Sequence, residues 1–159
     1  FQLPDLCLVL SDKAWDRFAK NLVDRDDVGL VVDKDRVTLS STAKNEIGGI
    51  VAMSFEEAAK SRIGSKLVTN MICAAALARL LEAISLDSLS DAAERRSPLA
   101  YREKNRAAIR LGWQLMDDYL DTHALPWRIP GHEIGKLAVG AASDCGANTS
   151  EAGGSALTA

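Results

Sequence analysis

The chain has 159 residues, a formal net charge of -3, 47% hydrophobic and 26% charged residues. These values describe one globular domain with room for a substantial core. The slight acidic excess argues against nucleic acid as the main partner, because phosphate binding needs a basic face. No run is apolar over the roughly 20 residues a membrane helix needs, and no signal peptide is legible.

The first element in chain order is "LCLVL", Leu6–Leu10, a continuous apolar run of strand length. Ser11 follows as an N-cap and Asp12 falls in the first turn of a helix predicted over 12–23. That helix puts Trp15, Phe18, Ala19 and Leu22 on one face. After "DRDD" comes "VGLVV", Val28–Val32, a second apolar run. Continuous rather than alternating apolar runs imply strands covered on both faces, and hence a parallel sheet in an α/β domain.

Residues 33–49 are mostly polar, with "RVTLSS" as an edge-strand candidate and "IGG" as a turn. "IVAMS", Ile50–Ser54, is the third predicted strand. Ser54 and Glu57 have the spacing of a capping box for a short helix. A long helix is predicted over 66–84, with no charge from Leu67 to Ala78 and three alanines in the middle of that stretch. Such a segment must be covered on nearly all sides. A short helix over 86–95 comes next. Ser97 and Pro98 read as N-cap and N1 of a last helix over 98–121, with Tyr101, Ala108, Leu115 and Tyr119 near one stripe.

Asn70 is the polar residue on the apolar helix. Its amide must find partners if buried, either in a neighbouring loop or strand end or at a subunit junction. "GSK", Gly64–Lys66, reads as a helix start or as an anion site at a helix N-terminus. Asp33, Lys34 and Asp35 follow a strand, where α/β ligands gather, or form a solvated turn. Cys7, Cys73 and Cys145 have no metal-ligand spacing, and Cys7 and Cys73 read as buried free thiols in a reducing cytosol. His123 and His132 are not spaced for ligation, so no metal site is expected. Trp15 and Trp113 are expected in the core or at an interface, and Trp127 completes the set. No GxGxxG and no GxxxxGK[ST] occurs. Residues 140–159, largely Gly, Ala and Ser, read as a linker or disordered end.

Leu10-Ser11, Val32-Asp33, Asn70-Met71, Ser85–Ala92 and the series Asn105, Ala108, Gly112 follow one another in an order and spacing that resembles a known family. It is the gamma subunit or domain of the 2-oxoacid:ferredoxin oxidoreductases, of pyruvate, 2-oxoglutarate or 2-oxoisovalerate type. The resemblance covers roughly residues 4–120. It implies a Rossmann-like parallel sheet flanked by helices in three layers. It also implies that the N-terminal strand and "GxGGQG" loop of the family are missing, and the start at Phe1 fits a fragment. The division expected is a gamma domain over 1–125 and an extension over 126–159.

The function implied is that of a non-catalytic cytoplasmic subunit in an enzyme that oxidatively decarboxylates a 2-oxo acid to an acyl-CoA. Thiamine diphosphate, magnesium and 4Fe–4S clusters would sit on the other subunits, so that none is held by this chain. The implied partners are thiamine-binding alpha and beta subunits and a ferredoxin-like delta subunit. Asn70 and Lys66 are the candidates for contact with coenzyme A, and no catalytic residue is named. The alternative is a freestanding Rossmann-like binding module without redox partners.

Overall fold

The computed structural model describes residues 4–22 and 25–125. Three strands, β1 (Leu6–Val9), β2 (Arg25–Asp33) and β3 (Ile47–Met53), form an open sheet in the order β1-β2-β3, with both pairings parallel. Leu6 pairs with Gly29 at one end of the first ladder, and Asp33 pairs with Met53 at the end of the second. β2 is central, and Val28, Leu30, Val31 and Val32 are all buried. The continuous apolar run therefore has its predicted cause, a strand covered on both faces.

The two faces carry separate cores. On one side Val9, Leu30 and Val32 meet Trp15 and Leu22 from the region of α1 (Asp12–Phe18), together with Ala43 of α2 (Ser41–Glu46). On the other, Val31, Val51 and Met53 meet Phe55 of α3 (Phe55–Ala58) and residues of two long helices, α4 (Thr69–Leu81) and α6 (Arg102–Thr122). Helices, sheet and helices make the three expected layers. α5 (Leu86–Arg96) has no buried residue and rests on α6 through Arg106 and Glu94.

Several local expectations change. The 37–40 segment is irregular, and Ser40 caps α2 by accepting the Ala43 N–H at 3.1 Å. An irregular segment leading into α2, which starts at Ser41, thus replaces the edge strand expected from "RVTLSS". "IGG" is the start of β3 rather than a turn, with Gly49 paired to Gly29 and both buried.

The 66–84 helix is shorter than predicted. A 3-10 turn, Lys66–Val68, leads into α4, and Glu82 ends it in the left-handed region at φ 49°. Likewise Leu99–Tyr101 is a 3-10 turn, and α6 starts only at Arg102. Ser97 does not cap it. Its carbonyl accepts from Arg102 Nε at 3.2 Å and its hydroxyl from the Asn105 amide at 2.7 Å, which fixes the α5–α6 corner. Phe18 and Tyr101, expected on apolar faces, are exposed.

α4 is covered almost throughout, and Asn70 is its one exposed residue. The cover comes from the sheet on one side and α6 on the other. Where the two helices meet, a Cβ at Gly112 would sit 2.8 Å from the carbonyl carbon and 2.9 Å from the Cα of Ile72. Only glycine allows backbones this close. Ala108, one turn earlier, is also fully buried.

Replacing a helix-interior glycine by alanine ordinarily stabilises by about 0.8–1 kcal/mol. At Gly112 the sign should reverse, because neither helix backbone can yield without disturbing the core. We expect Gly112→Ala to lose about 1–3 kcal/mol in urea unfolding. A variant as stable as the parent would mean that α4 and α6 do not approach at this residue.

Candidate functional site

The carboxyl ends of the three strands are where open α/β sheets place ligands. Here that edge is organised by Asp33, the last residue of β2. Asp33 is 1% exposed and is the buried charged residue of the described core. Its Oδ1 accepts the Asp35 N–H at 3.2 Å and its Oδ2 the Glu56 N–H at 2.9 Å. The first bond lies inside the Asp33–Arg36 turn, which the Arg36 N–H closes on the Asp33 carbonyl at 3.0 Å. The second caps α3 from a different strand. Ser54, the expected capping-box residue, makes no side-chain capping bond. Its backbone, at ψ 73°, is not extended as a capping serine requires.

The loops around Asp33 are tied together. Asp12 Oδ1 accepts the Thr38 N–H at 2.7 Å, and the Asp12 N–H donates to the Arg36 carbonyl at 3.0 Å. Glu56 pairs with Arg36 and, at 2.7 Å, with Lys60. Lys60 first and Arg36 second hold the Glu56 carboxyl below the usual carboxylate range. Solvent reaches this cluster, so its contribution to stability is small. Asp33 was one of three residues expected either in a solvated turn or near a ligand. Lys34 and Asp35 are exposed, as a turn requires, but Asp33 is not.

Cys73 of α4 lies close enough to Asp33 to feel its charge. The thiol is pushed up from 9.0 to about 12, by burial first and by the Asp33 carboxylate second. It is therefore protonated at neutral pH and is a poor nucleophile. Burial also raises the Cys7 thiol, which is only half-buried. Both are free thiols, as expected. Among the described residues no group of three or more His, Cys, Asp or Glu side chains converges as a metal site. His123 stacks on Tyr119 with ring centroids 4.4 Å apart. His132, Cys145, Trp127 and the Gly/Ala/Ser segment lie outside the described residues.

The two residues singled out for coenzyme contact are not brought to Asp33's hydrogen bonds. Asn70 and Lys66 are both exposed at the entrance of α4. The burial expected for Asn70 is therefore corrected: α4 emerges from its cover where the amide stands, and among the described residues the amide has no side-chain partner. The Ser65 hydroxyl accepts the Leu67 N–H at 3.4 Å, and the Thr69 hydroxyl donates to the Lys66 carbonyl at 2.8 Å. These bonds belong to the start of a helix.

The sequence model of the pyruvate ferredoxin/flavodoxin oxidoreductase family matches residues 1–115. The chain belongs to this family. Among solved structures it is similar to the gamma subunit of a keto/oxoacid ferredoxin oxidoreductase from Geobacter sulfurreducens. The TM-score is 0.59 and the identity 24%, over 72% of this chain and 65% of that one. At that identity the likeness carries the fold, and the chain spans about two thirds of the neighbour's length. None of the curated proteins matches. The chain thus has the parallel α/β architecture, and at its strand ends Asp12, Asp33, Arg36, Glu56 and Lys60 are engaged with backbone amides or with one another. Among the described residues, no helix is long and apolar enough to cross a membrane.

Sequence reasoning missed the reach of Asp33 across to α3. The signal was an apolar strand ending in Asp, with a helix starting after the adjacent strand. Asp33→Asn should cost about 1–3 kcal/mol, because its amide nitrogen would face a backbone N–H it cannot accept from. Ser54→Ala should stay within about 0.5 kcal/mol of the parent. Denaturant titrations of both would decide which residue caps α3. Equal losses would restore Ser54 as a cap.

A pH effect follows from Cys73. The unfolded thiol ionises near 9, whereas the folded one holds its proton to about 12. The native state then binds more protons, so stability is fully present below about 9 and falls as the pH rises toward 12. Cys73→Ala should remove up to about 1.4 kcal/mol per pH unit of that alkaline slope. Parallel stability–pH curves for parent and variant would refute the assignment.

Proposed function

We propose that this family domain is the gamma subunit of a thiamine diphosphate-dependent 2-oxoacid:ferredoxin oxidoreductase, which converts a 2-oxo acid to its acyl-CoA. The observation that carries the reading is the family match over residues 1–115. The engagement of Asp33, Glu56, Arg36 and Lys60 at the strand ends supports a scaffolding role. In this reading the thiamine diphosphate, magnesium and 4Fe–4S sites lie on alpha, beta and delta subunits in the cytoplasm, and this chain alone has no turnover.

Coenzyme A would pass the exposed entrance of α4. Lys66 supplies a positive charge for a phosphate, and Asn70 supplies an amide with free donors and an acceptor. Both are exposed, so neither needs to break an internal contact to meet a ligand or a neighbouring subunit. A freestanding binding module has no observation here in its favour over the subunit reading.

The test is co-expression of the full chain with its thiamine-binding and ferredoxin-like subunits, followed by assay of 2-oxo acids with coenzyme A and a viologen acceptor. We expect a stable complex whose activity is lost when this chain is omitted. Asn70→Ala should leave the melting temperature of the isolated chain unchanged, within about 0.5 kcal/mol. It should instead raise the KM for coenzyme A or weaken assembly. A fully active complex without this chain would overturn the reading.

A further inference from the structure

We propose that the outer edge of β3 and the groove beside it dock an extended, carboxylate-bearing segment of another subunit. The proposal rests on the subunit reading above and names one surface through which assembly occurs. Among the described residues β3 pairs only with β2, and no strand of them pairs with the N–H and C=O groups of its other side. Folded proteins guard such edges with lysine, proline, a bulge or a very short strand. β1 is short, at four residues. β3 has seven, "IGGIVAM", with neither a charge nor a proline, and Gly48 and Gly49 place no side chain in the way of an approaching backbone.

The face beside this edge is also uncovered. Val51 and Met53 point into the core under α4 and α6, but on the opposite face Ile50 is half-buried and Ala52 exposed. They floor, with Val32, an open groove of about 500 Å³ walled by Val37. Lys34 and Lys44 stand on its rim. Both are exposed, and among the described residues neither is paired with a carboxylate. A chain of net charge -3 thus shows a locally positive apolar groove next to an unguarded strand edge.

These features select the occupant. Strand addition satisfies the main-chain groups, and alternate side chains of the added segment reach the groove face. An apolar residue there would cover Ile50 and Ala52, and acidic residues flanking it would meet the two lysines. A second copy of this chain fits poorly. A two-fold pairing of β3 edges would set the lysines of one copy against those of the other, and like charges opposed across a contact suppress a partner.

The test uses the full chain in the reconstituted complex. A photo-cross-linking residue replaces Ala52, and hydrogen exchange of the β3 amides is compared between the free chain and the complex. A double variant, Lys34→Glu with Lys44→Glu, is titrated against the other subunits. We expect a cross-link to one acidic segment of another subunit and slower exchange along β3 on assembly. The charge reversal should weaken affinity about tenfold, more at low salt than at high, with the melt of the free chain unchanged. Cross-links only to a second copy, or to any other segment of the same polypeptide, would overturn the proposal. So would normal assembly with β3 still exchanging freely. Failure of the parent chain to assemble at all would sink the subunit reading and this proposal with it.

Discussion

The backbone contact between Gly112 and Ile72 governs how this domain is built. It lets α6 lie close against α4, so α4 is enclosed by the sheet on one side and by another helix on the other. An enclosed helix has no wet face, and its composition follows. Ile72, Cys73, Ala76 and Leu80 face the sheet-side core, and Ala75 and Ala78 are buried as well. Burying a side chain the size of Ile72 or Leu80 stabilises by about 1.5–3 kcal/mol. The alanines contribute less by area, but they keep the helices close. Arg79, the charged residue within α4, is only half-buried and is neutralised by Asp117 of α6 and by Glu82 at 3.4 Å.

The parts of the fold legible in the sequence are those with one dominant cause. The apolar runs of β1 and β2 have no polar alternative, and burial on both faces is the one arrangement that suits them. Ser11 caps as expected because it sits extended next to its own helix and accepts the Ala14 N–H, and Ser85 caps α5 in the same way through the Ser88 N–H. The failures are places where a distant residue won over a local one. Ser54 has capping-box spacing, yet the Asp33 carboxylate reaches the Glu56 N–H from the neighbouring strand. Ser97 and Pro98 have the chemistry of a helix start, but Asn105 and Arg102 draw Ser97 into the α5–α6 corner instead. Gly48 and Gly49 read as a turn because isolated glycine disfavours a strand, a preference that pairing with β2 overrides.

The candidate site was less legible than the fold for a related reason. Burial of a carboxylate depends on which amides converge on it, and those of Asp35 and Glu56 come from separate elements. Asn70 misled in the opposite direction. An amide inside an apolar run reads as buried, but a helix enclosed over most of its length must still emerge at its first turn. Periodicity finds the stripe a helix buries, not the point at which its cover stops.

The same distinction between local pattern and assembled surface decides which exposed features matter. Leu67 is 69% exposed and Leu99 78%. Single exposed leucines are ordinary on protein surfaces and demand no partner. An open strand edge differs, because its donors and acceptors are directional and repeat along the chain, so any passing extended segment can pair with them. Among the described residues, β3 has neither a charge nor a proline to discourage such pairing. The two lysines beside that edge raise the affinity for acidic segments over neutral ones, and they do so without adding a charge to the strand itself. Placing the charge on Lys34 and Lys44, rather than within "IGGIVAM", keeps β3 apolar enough to hold against β2 while still discriminating among partners.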